Sequence, residues 1–311
     1  MAKESLRGEY GKTLLRIGRE NKDIVVMDAD LAKSTKTITF GKEIAGRFID
    51  MGLSEQDMIS TAAGIALTGK TVFASSFCIF LMGRVYDQVR QSVCYNNANV
   101  KLVGTHAGLG VGEDGATHQM LEDIALSRAL PNMRVIVPAD GVETARAVEY
   151  AAANYGPFFI RLVRGNLEKI YDNDYRFECG RASVIKPGKD AVVIAIGAMV
   201  EKALEAAKLL AQESIDAAVI NMSTIKPLDK DTLLDFAKKT KAVVTIEDHS
   251  IYGGLGGAAA EFLSQNHPTR MKIIGVEDKF GRSGSVEDLY SHYGLTAQRV
   301  VDEVKKLILD R

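Results

Sequence analysis

Short runs of β-branched and apolar residues alternate along the chain with longer stretches whose apolar positions recur at helical spacing. This pattern predicts crossover βα units and a mainly parallel sheet. The alternation occurs twice. In the first series, strands are predicted at DIVVMD (23–28), TVFASS (71–76), VKLVGT (100–105), VIVPAD (135–140) and FFIRLV (158–163), with helices around 55–68, 80–95, 118–130 and 141–154. The polar stretch 165–190 then interrupts the rhythm with turn residues and shows no sustained helical face. Beyond it the second series has strands AVVIAIG (191–197), AAVINM (217–222), AVVTIED (242–248) and KIIGVED (272–278). Its helices centre on EKALEAAKLLAQE and KDTLLDFAKK, and a last one lies at TAQRVVDEVKKLILD. The expected fold is α/β with two doubly wound domains, at 1–166 and 190–311, joined by a linker at 167–189.

Composition fits this picture. The 311 residues, 46% hydrophobic and 25% charged, are enough to bury the cores of about two domains. Lys and Arg total 39 against 40 for Asp and Glu, so no overall charge bias draws the chain to nucleic acid. The charged start MAKESLRGEYGK is unlike a secretory signal, and no apolar run approaches the roughly 18 to 20 residues of a membrane span, so a cytoplasmic protein off the membrane is expected. Cys78, Cys94 and Cys179 have neither CxxC spacing nor a companion His cluster, which points to reduced thiols and no metal site.

Ligands of open parallel sheets bind beyond the carboxyl ends of the strands. That rule selects Asp28 and Asp30, Ser76 and Phe77, His106 with the glycine loop behind it, Asp140, Arg161 and Arg164, and in the second domain Glu247, Asp248 and His249. Gly110, Gly112 and Gly115 have the G-x-G-x-x-G spacing of a dinucleotide site. Several residues separate them from the strand, however, and Glu113 and Asp114 would face the pyrophosphate. His106, Asp114 and His118 on this loop could converge on a polyhydroxylated ligand, or the loop could be a flexible surface segment. Glu55, at a helix start, is either a first-turn acid favoured by the helix dipole or an acid tuned in a cleft. Phe77 and Phe80 are either core contacts or, beside such an acid, a shelf for a flat aminopyrimidine. The turn YGGLGG could bind an anion at the N-terminus of a following helix.

Read together, FIDMGLSEQDM, SSFCIFLMGRVYDQVR, GVGEDGATHQ with LPNMRVIVPADGVE, FFIRLVRGN, STIKPLD and TIEDHSIYGGLGGA resemble the transketolase family in order and spacing, over nearly the whole chain. The resemblance implies a pyrimidine-binding domain that takes thiamine diphosphate, followed by a smaller, mixed-sheet transketolase C-terminal domain that is structural or regulatory, without cofactor, in place of an anion site at YGGLGG. It implies that Glu55 hydrogen-bonds the aminopyrimidine and promotes the tautomer that removes the thiazolium proton, with Phe77 and Phe80 around the ring and Asp30 close by. Beyond Phe80 the register slips by one residue, and Arg84 takes a neighbouring place. Asp114 is implied at the donor's hydroxyl, catalytic His118 near its carbonyl end, and His106, Ser34, Arg7 and Arg164 around the sugar chain and phosphate.

Full-length members of that family have a preceding domain that binds the diphosphate through a divalent metal with a GDG-type motif, and this sequence contains none. The resemblance therefore implies a separate N-terminal subunit holding Mg2+ or Ca2+ and sharing the cofactor, with the present chain as the homodimeric core of a heterotetramer. The implied reaction is transfer of a two-carbon ketol unit between sugar phosphates. Rival readings are a subunit of a deoxyxylulose phosphate synthase or of a 2-oxo acid dehydrogenase, which His106 in GTHAG disfavours, and a non-catalytic binding subunit.

Overall fold

A computed structural model describes residues 3–240 and 242–309. The ends of both expected domains, and Asp310 of the last predicted helix, lie outside the described residues. Fourteen strands are present among those described: β1 (Lys3–Ser5), β2 (Ile24–Asp28), β3 (Phe48–Asp50), β4 (Thr71–Phe77), β5 (Val100–Thr105), β6 (Arg134–Ile136), β7 (Phe158–Arg161), β8 (Asn166–Glu168), β9 (Ser183–Lys186), β10 (Ala191–Ala195), β11 (Ala217–Asn221), β12 (Thr224–Lys226), β13 (Val243–Ser250) and β14 (Met271–Val276).

Two sheets carry the architecture. A seven-stranded sheet runs β12-β6-β7-β5-β4-β2-β3, parallel throughout except for β12 at its edge. A five-stranded sheet runs β14-β13-β10-β11-β9, parallel except for β9. The chain is thus α/β, with one mainly parallel and one mixed sheet. Helices cover both faces of such sheets, which is why β4, β5 and β10 are buried at every position and β10, Ala191–Ala195, reads as an unbroken apolar run.

Several local elements differ from the sequence expectation, each for an identifiable reason. A helix at Leu6–Glu20 opens the chain; Ser5 caps it by accepting the Gly8 N–H, and Leu6, Tyr10, Leu14 and Ile17 line its buried face. The helix expected at 80–95 is instead a π-helical turn at Ile79–Gly83, a short helix at Tyr86–Gln88 and a second π-helical stretch at Val89–Tyr95. That expected at 118–130 shortens to Asp123–Ala129, because residues 115–120 fold back in turns and Ala107 bridges Met120. The strand expected at 135–140 ends at Ile136, where Val137 donates to Ser223 O and Pro138 has no N–H to give. The segment at 167–189 contains strand as well as turns: β8 pairs with β1, and β9 pairs with β11.

Both apolar cores draw on both sheets. One runs from Leu6, Tyr10 and Phe73 to Val193, Val244 and Val301, the other from Met58 and Val72 to Ile194, Ile220 and Leu255.

Candidate active site

From β2 the chain crosses to β3 on one side, and from β4 it crosses to β5 on the other. Connections that diverge in this way open a crevice at the strands' carboxyl ends. Glu55 enters this crevice as the first residue of the helix Glu55–Leu67, and its side chain is only 2% exposed. The helix dipole favours a carboxylate here, but burial removes it from water, so a donor is required. Arg84 supplies one, donating Nη1 to Oε2 at 2.8 Å, and no other donor among the described residues reaches the carboxylate.

The π-turn explains how Arg84 arrives there. Its N–H donates to Ile79 O, five residues back, so one more residue is wound into the turn than an α-helix would hold. The guanidinium carbon lies 4.4 Å from the Phe80 ring centroid, so a flat, N–H-donating group is stacked on Phe80 and bonded to Glu55.

Phe77 ends β4. Its ring lies 5.8 Å from that of Phe80, with 11° between planes, and 3.7 Å from the imidazole of His106, with 26° between planes. His106 follows β5 with φ of 55°, a left-handed conformation that is uncommon without glycine and is found at functional sites. Its Nδ1 lies 2.9 Å from Thr105 Oγ1 and its Nε2 3.4 Å from Arg7 Nη1. Burial, then the Arg7 and Arg164 cations, push its pKa down to about 3, so the imidazole is neutral.

Arg7, at the start of the first helix, donates Nη1 to Ser34 O at 2.8 Å and Nη2 to Arg164 O at 2.9 Å. Burial and then Arg164 lower its pKa. Arg164 donates to Val111 O at 2.8 Å and lies 3.6 Å from both Glu113 and Asp114. The His118 ring stands edge-on to Phe77 and Phe80, at 6.4 and 5.5 Å.

Of the residues singled out from sequence, Glu55, Arg84, Phe80, Phe77, His106, Arg7, Arg164 and Asp114 form one connected strip, with His118 against its rings and Ser34 joined through its carbonyl. A cleft of about 320 Å³ lies beside the Arg7 end, lined by Arg7, Val111, Glu113 and Arg164 among others. Asp30 is not drawn into the strip: it is exposed, and its N–H donates to Asp50. Asp28, two residues earlier, is buried and accepts from Thr35, Thr37 and the Leu31 N–H, bracing the short helix Ala32–Thr35 that carries Ser34; burial raises its pKa to about 6.

The glycine turns are closed from within. Asp248 accepts the N–H groups of Leu109 and Gly110, and Glu247 accepts those of Leu255 and Gly256 at the start of the helix Leu255–Asn266. These four amides are therefore spent inside the chain and not offered to an external anion, which adds to the case already made against a dinucleotide site in the first loop. Among the described residues no group of acid, His and Cys side chains is placed to hold a metal, and no helix is long and apolar enough to cross a membrane.

A buried acid beside stacked aromatic rings at the switch point of a parallel sheet is the setting for a flat heteroaromatic cofactor, and two domain families match in the corresponding places. The transketolase pyrimidine-binding domain matches residues 3–169 and the transketolase C-terminal domain residues 180–300, and the chain belongs to the transketolase family. It is 46% identical over 311 residues to a protein named as a transketolase C-terminal section from Methanocaldococcus jannaschii, covering 97% of each chain. To the 6-deoxy-6-sulfo-D-fructose transketolase subunit SqwH of Clostridium sp. MSTE9 it is 41% identical, covering 95% of this chain and 92% of the relative. A solved split-gene transketolase, an inactive β4 tetramer, superimposes with a TM-score of 0.91 at 46% identity and 99% coverage of both chains.

Proposed function

We propose that this chain is the C-terminal subunit of a two-chain transketolase, supplying the pyrimidine side of a thiamine diphosphate site and transferring a two-carbon ketol unit from a ketose phosphate to an aldose phosphate. The observation that carries this reading is the buried Glu55 carboxylate, joined through Arg84 to the stacked Phe80 and Phe77 rings. The residues fit the cofactor: Glu55 has one oxygen engaged by Arg84, the buried Ser76 Oγ lacks a partner among the described residues, and so does Arg7 Nε. Bound thiamine diphosphate supplies the nucleophilic carbon and the electron sink for cleaving a bond beside a carbonyl.

The protein's own contribution is orientation and proton placement. Glu55 holds a proton at a ring nitrogen, and the phenylalanines fix the ring plane. Arg84 engages only Oε2, which leaves Oε1 for this, and its half-exposed guanidinium neighbours the cofactor. Asp30 lies at the margin of the cofactor site. Arg7 and Arg164 give forked, permanent positive charge for a sugar phosphate, with Ser34 and neutral His106 along the chain of hydroxyls. Asp114 accepts a donor hydroxyl, and His118 lies near its carbonyl end. A partner subunit binds the diphosphate and its Mg2+ or Ca2+, two copies of this chain form the heterotetramer's core, and the complex works in the cytoplasm.

Ketol transfer from xylulose 5-phosphate to ribose 5-phosphate, with thiamine diphosphate and magnesium, is expected only when this chain is mixed with its N-terminal partner. In that mixture Glu55→Gln should lower turnover about a hundredfold or more. Near-normal rates without excess cofactor would remove Glu55 from its role. Decarboxylation of pyruvate without ketol transfer would move the chain to another thiamine-dependent reaction.

A further inference from the structure

The loop Gly108–Asp114 has a backbone poorly suited to holding its own shape. It is a 3₁₀ turn, with left-handed φ at Gly108 and Gly112 and again at Gly115 just beyond it, and glycine loses more freedom on ordering than any other residue. It nevertheless carries Asp114, and His118 follows four residues on, so something outside the loop has to fix it.

That support comes from the second sheet and the segments after it. Asp248, near the end of β13, accepts the Leu109 N–H at 2.9 Å and the Gly110 N–H at 3.2 Å, and Tyr290 donates its hydroxyl to the same carboxylate at 3.0 Å. The fit is close: a β-carbon on Gly108 would come within 2.5 Å of the Asp248 carboxylate. The main chain of Asp248 is tied down in turn, its carbonyl accepting Arg161 Nη2 at 2.9 Å while Arg161 Nε donates to Asp123 at 2.7 Å. Beyond the loop, Gln119 donates to Gly112 O and to Arg282 O, and a β-carbon on Gly115 would meet Ser283 Oγ at 2.5 Å. Residues 108–119 are thus gripped at both ends by the C-terminal half of the chain.

We infer that Asp248 is a positioning residue for donor recognition: through the Leu109 and Gly110 amides it sets where Asp114 and His118 meet the ketose. This rests on the transketolase reading above. Two amides aimed at one carboxylate need both its oxygens as acceptors, and an asparagine offers one oxygen and turns N–H against N–H at the other. A loop freed this way still reaches the donor but binds it in many poses, which weakens the donor complex more than the chemistry that follows.

The test uses the reconstituted two-chain complex. Asp248→Asn should raise the donor KM about tenfold or more with kcat changed less than about threefold. Amide hydrogen exchange should quicken in the 108–115 segment. Glu247→Gln is the control: the adjacent acid is equally buried, but its hydrogen bonds go to the start of the helix 255–266 and its other near neighbour is His249, not the 108–115 segment, so it should lower the thermal midpoint and leave donor KM and loop exchange at their wild-type values. Tyr290→Phe, a milder change, should shift KM and exchange in the same direction as Asp248→Asn by less. If Asp248→Asn loses stability as Glu247→Gln does while donor KM and loop exchange stay unchanged, the inference is overturned. Should the wild-type complex transfer no ketol unit, the transketolase reading fails instead, and unchanged loop exchange in Asp248→Asn would still overturn the anchoring.

Discussion

His106 concentrates several constraints in one side chain. It sits in left-handed backbone, packs on Phe77 and faces two arginines, and its proton affinity falls accordingly. An unfolded histidine titrates near 6.5, whereas the folded one holds its proton only below about 3, so between these values the unfolded state binds more protons. Stability from this group is therefore complete above 6.5 and is lost as pH falls toward 3. Buried His249, lowered to about 4, acts in the same sense. In urea titrations at about pH 7 and about pH 4.5, His106→Gln should show a smaller loss of stability on acidification than the wild type. An equal loss in both would show that His106 takes up its proton at the ordinary pH. Glu55 and His106 were legible as candidates because each stands at a strand's carboxyl end or a helix start. Their partners entered only through the family resemblance and not from local pattern, since Arg7 lies 99 residues from His106 and Arg84 lies 29 from Glu55.

The long buried strands were readable because a parallel sheet covered on both faces leaves no polar alternation to blur them. The helix at Leu6–Glu20, which delivers Arg7, was missed although its signal is present as a Ser cap ahead of apolar residues at 6, 10, 14 and 17. The π-turn at Ile79–Gly83 had no local signature, since one wound-in residue leaves the apolar content unchanged. What occupies the glycine turns was hidden for a related reason: their amides look free until carboxylates more than a hundred residues away, or across a strand end, are brought to them. β5 carries a further surprise at its amino end. Lys101 is fully buried, and its ammonium donates to Asn99 Oδ1, Asn154 O and Gly156 O, each at 2.7 Å, beside the Phe158 ring. Lys101→Met keeps most of the stem but strands three acceptors, and should cost about 2 to 4 kcal/mol in urea unfolding. A change under about 0.5 kcal/mol would mean that water replaces the lost donor.

The two sheets form one cooperative body. Each apolar core contains residues from both halves, Asp248 and Gln119 tie the glycine loop to the second half, and β12 leaves the second half to complete the edge of the first sheet beside β6. Calorimetry of the isolated chain should accordingly show one transition, with equal calorimetric and van't Hoff enthalpies. Two resolved peaks would mean that the halves melt separately. The placement of β12 also bears on how relatives could be recombined. A chimera joined within 167–189, taking its first half from one family member and its second from another, would import a foreign strand into the sheet that carries the candidate site. Grafts would succeed only where the donor's version of Thr224–Lys226 matches the recipient's Arg134–Ile136, so the working seam between these modules is a pair of hydrogen-bonded strands and not the stretch of chain that joins them.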